Sequence, residues 1–296
     1  MSKGLSRTFT ALTAVAVAFA NPIATAQSHS RADAGAPGAR DAGASATPSG
    51  PAVSLRFRYA QGARNRYAVR SNQNAQGLSS NITQTLEIET QRVQPDGSAE
   101  QRARTLAFNM ESGALPPQQR QALQQSMMGA VFQYRVDPRG RIVSRQPVQG
   151  LQGSLVEFGD QVWQTVEGSI PSLPEAPISV GASWNETKQV RFALGAARLA
   201  MRVDLTYTLR EVRRVGAGQT AVIGVAMTLT VTQGVGAPNV TVSGTGRATG
   251  EVQFSVDRGL LQRSSSSLSL DVNFVSRGSR PSTMRMTATS EVSLQG

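Results

Sequence analysis

The chain has 296 residues, with 30 Lys+Arg against 19 Asp+Glu and a formal charge of +11. It has no cysteine and one histidine, His29. Disulfide frameworks, thiolate metal sites, iron–sulfur clusters and thiol catalysis are excluded, and histidine-based triads or multi-histidine metal sites lack the residues to build them.

Residues 1–26 read as a cleavable signal peptide. Lys3 and Arg7 form a basic start, Thr8 to Ala20 an apolar run, and Ala24-Thr25-Ala26 a small-residue cleavage site. The run is shorter than the ~20 apolar residues that span a bilayer. Without cysteine there is no lipobox thiol to acylate, so a periplasmic or secreted protein is expected. Cleavage removes two basic residues and no acid, leaving 28 against 19, or +9. That surplus attracts anionic envelope polymers, or simply keeps the protein soluble. Nucleic acid is not expected, because arginines and aromatics are not interleaved as single-strand binders require.

Residues 27–52 are almost wholly Ala, Gly, Ser, Pro, Asp and Arg. They bury too little to offset ordering entropy and read as a disordered linker. Residues 53–296 form the folded body, and no stretch in it is apolar enough to cross a membrane.

Period two dominates that body. Ile82, Leu86 and Ile88 alternate with Thr83, Thr85, Glu87 and Glu89. A helix is predicted over Pro116 to Ala130, with proline in the first turn and Leu123 and Met127 on one face. Phe132 to Ile142 is strand, Asp/Gly turn, strand. A second helix is predicted over Leu151 to Glu167, where Leu151, Leu155, Phe158, Val162 and Val166 form a stripe bordered by Trp163. Pro171, Pro174 and Pro177 end it and make an extended connector. Gly181-Ala182-Ser183-Trp184 then opens a strand, with Trp184 packing under the helix.

Alternation resumes with Met201, Val203, Leu205, Tyr207 and Leu209, against Arg202, Asp204, Thr206, Thr208 and Arg210. Ile223 to Val231 repeats it. Gly244 to Gly250 has the wrong spacing for a dinucleotide loop and reads as bulges or a bend. Val252 to Leu261 is a second Asp/Gly hairpin. Leu268 to Phe274 and Met284 to Ala288 follow. Long alternating strands with polar outer faces indicate a mainly β protein with a large curved antiparallel sheet. The sheet is a half-barrel or two β-meander units, with two short helices packed on it. A transmembrane barrel fits less well, since charges sit on the polar face and aromatics are only 5% of the chain.

The two hairpins suggest related halves, 53–150 and 178–296, joined by 151–177; chance similarity between hairpins is the alternative. Asp137 and Asp257 read as turn residues rather than a carboxylate pair, because glycine follows each. There is no Gly-x-Ser-x-Gly elbow or Ser-x-x-Lys pair. No catalytic, cofactor-binding or metal-ligating residue is assigned, and the chain reads as a non-enzyme. An enzyme using only carboxylates and arginine has no motif behind it.

The run Leu173-Pro174-Glu175-Ala176-Pro177-Ile178-Ser179-Val180-Gly181-Ala182-Ser183-Trp184, then long strands and Phe254-Ser255-Val256-Asp257-Arg258-Gly259, resembles an uncharacterised family of bacterial exported proteins over residues 55–296. In pattern that family is similar to the lipoprotein-carrier superfamily. The resemblance implies a curved antiparallel sheet wrapped around helices, enclosing an apolar cavity for a lipid or other hydrophobic molecule. Many members are lipoproteins, and this cysteine-free chain departs from that. Trp163, Trp184, Phe158, Leu205, Tyr207 and Phe254 are the candidate ligand-binding residues; equally, they are core. The alternative function is a structural or interaction module of the envelope, whose basic outer face binds an anionic polymer or a protein partner.

Overall fold

The structure is a computed structural model that describes residues 49–113, 115–151, 163, 171–194, 197–235, 240–276 and 280–295. The expected signal peptide, and residues 27–48 of the expected linker, lie outside them. Along the chain run β1 (Ser49–Val53), β2 (Arg64–Ala75), β3 (Leu78–Val93), β4 (Ala99–Ser112), α1 (Pro117–Gly129), β5 (Val131–Val136), β6 (Ile142–Arg145), β7 (Ile178–Val180), β8 (Ser183–Leu194), β9 (Ala197–Val215), β10 (Gly218–Val235), β11 (Val240–Ser255), β12 (Leu260–Ser276) and β13 (Ser282–Gln295). The protein is mainly β, as its alternation predicts.

Eleven strands form one antiparallel sheet that does not close, in the order β6-β5-β4-β3-β2-β13-β12-β11-β10-β9-β8. Two meanders, β2 to β6 and β8 to β13, meet where β13 pairs β2, from Met286↔Ala75 to Gln295↔Arg66. β1 and β7 form a separate two-stranded sheet. Ser49 to Ala52, expected in the linker, therefore belong to a strand. The pairing uses backbone groups, which composition does not reveal.

Two adjacent residues report the sheet's curvature. The Phe57 N–H donates to Pro138 O in the β5–β6 turn at 2.7 Å, and the Arg58 N–H donates to Gly259 O in the β11–β12 turn at 3.1 Å. Four strands lie between β5 and β12 in the sheet. In a flat sheet, at ~4.8 Å per strand, those hairpins would stand about 24 Å apart. Neighbouring residues bridge them only because the sheet curls.

The buried face of the sheet carries the main core. Met201, Leu205, Tyr207 and Leu209 of β9 pack there with Ile223, Val252, Phe254, Leu270 and Met286. Gly244 and Gly246 also lie on this inner face. The β11 ladder runs through Gly244 to Gly250 without a register shift, so the expected bulge or bend is absent there. These glycines give close approach instead: a Cβ on Gly246 would stand 2.9 Å from Ser269 O and 3.0 Å from Leu270 Cδ1.

One helix with a full span occurs among the described residues. In α1, Pro117 takes the first turn, and Leu123 packs toward Ile82, Met110 and Leu115. The second expected helix, 151–167, falls outside the described residues except for Leu151 and Trp163. No described helix is long and apolar enough to cross a membrane.

Candidate functional site

The six residues named from sequence divide between two clusters. Leu205, Tyr207 and Phe254 are buried in the main core, with Tyr207 and Phe254 at 0% exposure. Trp184 opens β8 as expected but packs on Tyr207, with ring centroids 5.2 Å apart and planes at 15°. Its indole N–H donates to Ser172 O at 2.7 Å. Trp163 belongs to a second cluster, edge-on to Phe132 at 5.4 Å and to Tyr134 at 5.8 Å. Its indole N–H reaches Gln146 O at 2.7 Å. Phe158 lies outside the described residues. The five described residues fill the interior and face one another or the backbone, so each has a packing role.

Sequence reasoning missed a charged pair on the same inner face. Alternation along β8 turns Trp184, Glu186 and Lys188 inward, opposite Tyr207, Leu205 and Val203. Lys188 is 3% exposed, and its Nζ lies 3.1 Å from Glu186 Oε2. Ser172 Oγ donates to Glu186 Oε1 at 2.9 Å. Burial and the adjacent Glu186 carboxylate push the Tyr207 hydroxyl pKa well up. The buried ammonium is thus compensated by a carboxylate that is itself hydrogen-bonded, which is the condition for a charge to sit on an inner face.

The outer face of the first meander holds an ordered set of charges. Strand register aligns Arg64–Glu89–Arg102, Arg66–Glu87–Arg104 and Arg92–Glu100–Arg135, six arginines around three glutamates, a surplus of +3. Glu87 is 3% exposed and binds both neighbours, Arg66 Nε at 3.0 Å and Arg104 Nη2 at 2.6 Å. Hydrogen bonds from Arg104 and Arg66 hold its carboxyl below the usual glutamate range. Both carboxylate oxygens are thus occupied, and outward N–H donors remain on each arginine.

A groove of about 590 Å³ opens on the outer face, across β11, β12, β13, β2 and β3. One row of its lining is Thr249–Ser267–Thr289–Asn72–Asn81. The next is Arg247–Ser269–Thr287–Asn74–Ser79. All ten side chains are exposed. Nine are neutral amides or hydroxyls, and Arg247 is the only charge in the lining.

The remaining carboxylates of interest serve turns. Asp137 Oδ1 accepts the N–H groups of Arg139 and Arg141, each at 2.9 Å. Asp257 Oδ2 accepts the Gln219 N–H of the neighbouring hairpin. Each carboxylate therefore has a structural use, as the turn reading expects. Among the described residues no group of three or more Asp, Glu or His is placed to hold a metal.

No protein-family model matches this chain, and no curated protein matches it in sequence.

Proposed function

We propose that the protein is an exported, non-catalytic module of the cell envelope that docks an anionic polymer on its outer face. The observation that carries this reading is the set of three Arg–Glu–Arg rows. Glu87 holds two guanidinium groups and Glu89 holds that of Arg64. In each row two arginines flank one glutamate, so each row carries one net positive charge on paired strands. Successive rows lie about 7 Å apart along the strands, at two residues per step. A flexible chain with regularly repeated acidic groups meets several rows at once, and each contact raises the effective concentration of the next.

The test is binding of the full protein to polygalacturonate across a salt series. Affinity is expected to fall steeply with added salt, because exposed charges are screened over about 8–10 Å near physiological ionic strength. The triple variant Arg64→Gln, Arg102→Gln, Arg135→Gln is expected to lose most of this binding and keep its fold by circular dichroism. No binding at low salt, or binding indifferent to salt and to the triple variant, overturns the reading.

A second reading, an amphiphile held inside the curved sheet, is favoured by one observation. The hydroxyls of Ser71, Ser80 and Ser264 are buried on the inner face and make no hydrogen bond among the described residues. A buried hydroxyl left unpaired costs about 1–3 kcal/mol. The polar part of a lipid, or ordered water, would pair with them. Native mass spectrometry separates the two: co-purified lipid supports this reading, and a lipid-free protein of unchanged stability defeats it.

A further inference from the structure

We infer that the groove on the outer face is a sugar-binding site, and that it accepts an acidic sugar with its carboxylate on Arg247. This rests on the reading that the outer face binds an anionic polymer, and it specifies that polymer as an acidic polysaccharide.

The lining decides the class of ligand. Amide side chains such as Asn72 and Asn81 donate and accept at once, as do hydroxyls such as Thr249 and Thr289. None of these four side chains makes a hydrogen bond among the described residues. Their complement is a molecule dense in hydroxyl groups. A polyphosphate would call for several cations, and the lining supplies one. A nucleobase would call for aromatic rings to stack on, and the lining has none. A hydrophobic molecule would call for apolar walls, and Ala248, Leu268 and Ala288 turn their side chains to the inner face and leave the ten exposed ones polar.

Arg247 supplies the charge selection. Its strand neighbours across the ladder are Thr228 and Ser269, both uncharged. The nearest acid on β12, Asp271, is already held by Arg285 at 2.8 and 3.1 Å. Among the described residues Arg247 has no carboxylate partner. A planar guanidinium with free donors binds a carboxylate in two-pronged fashion. The volume of about 590 Å³ falls within the ~300–1,000 Å³ typical of small-molecule sites.

The experiment is titration calorimetry of the full protein with three probes: a short oligogalacturonate, the same oligomer with its carboxyls reduced to alcohols, and inorganic polyphosphate. The wild type is expected to bind the acidic oligomer best, the reduced one more weakly, and polyphosphate in the groove not at all. Arg247→Gln is expected to weaken the acidic oligomer roughly 10- to 100-fold and leave the reduced oligomer unchanged. The double variant Asn72→Ala, Asn81→Ala is expected to weaken both oligomers and leave the melting temperature within a few degrees. The variant lacking Arg64, Arg102 and Arg135 side-chain charges should still bind the short oligomer, because it leaves the groove intact. If the polymer binds but neither groove variant changes anything, the sugar site is wrong and the docking face stands. If no acidic carbohydrate binds at all, both fall. Equal loss for acidic and reduced oligomers with Arg247→Gln removes the role given to Arg247.

Discussion

Glu87 and Arg104 are joined through one oxygen: Arg104 Nη2 and Nε lie 2.6 and 2.9 Å from Glu87 Oε1. Arg66 takes the other oxygen from the opposite strand. A carboxylate shared by two guanidinium groups has every reason to stay ionised, and it makes the outer face sensitive to acid.

The acid response has a definite sign. Glu87, Asp96, Asp204 and Asp271 all have depressed pKa values in the folded chain, chiefly from side-chain hydrogen bonds to Arg104, Ser98, Arg202 and Arg285. A depressed folded pKa adds stability that is fully present above the ordinary carboxyl range, about 3.9–4.3, and is lost as the pH falls through the folded values. Urea midpoints should therefore be flat from pH 7 to about 5 and decline below about 4. A midpoint that rises on acidification would contradict the assignment.

Glu87→Gln should push stability and binding in opposite directions. The fold loses two ion pairs from a buried carboxylate, so the melting temperature drops. With a neutral amide between them, Arg66 and Arg104 then carry two uncancelled charges, so low-salt affinity for polygalacturonate rises. Thermal melts and a binding isotherm on the same preparation check both.

Alkali should act through the tyrosines. The chain has four, Tyr59, Tyr67, Tyr134 and Tyr207. Burial is the main cause that raises all of them, Tyr67 to about 12. A raised folded pKa adds stability that is present below the unfolded value of ~10 and is lost as the pH climbs beyond it. Phenolate absorbance should stay low in the native protein at pH 10 to 11, and should appear for all four rings together on unfolding. Stepwise titration near pH 10 would refute this packing.

Phe254→Ala tests the core. Phe254 is fully buried and meets Phe57 edge-on at 5.2 Å. Truncating such a ring costs about 3–5 kcal/mol. Phe57 also anchors the segment that bridges the two distant hairpins, so proteolysis near residues 54–63 should accelerate in the variant. Unchanged urea stability would place the ring outside the core.

Gly246→Val should destabilise by about 1–3 kcal/mol, the usual range for an overpacked core. Its Cβ would stand against the Ser269 carbonyl, which belongs to the ladder and cannot swing away. Gly62→Ala, at a turn glycine with open space around it, should cost less by contact and act only through its positive φ of 78°. Chemical denaturation of the pair compares them directly.

Much of the fold was legible because alternation is local. Met201 to Leu209 and Ile223 to Val231 each place their faces without knowing their neighbours. The sheet order was not legible: pairing of β13 with β2 joins segments about 200 residues apart, and no short-range pattern marks it. The inward Lys188 was not legible for the opposite reason, since a charge inside β8 contradicts the usual inside–outside pattern and is tolerable only beside Glu186. Ser49 to Val53 has no side-chain signature, because β1 rests on backbone pairing. The candidate site was hidden in the same way. Arg64, Glu89 and Arg102 look unrelated along the chain and become a row only through register. The aromatic residues drew attention by size, and size is what a core uses.

The position of β13 carries a temporal consequence. This strand, synthesised after the twelve others, sits in the middle of the sheet between β12 and β2. Until it arrives, β2 and β12 each have a bare edge, and the two meanders are separate ribbons. Contacts of such long range are slow to form, because the loop between them must close first. The ribosome releases both ribbons before the seam between them is sewn, so the nascent chain stays open and threadable until β13 emerges, and a holding chaperone would find its target in the unstitched margins of β2 and β12.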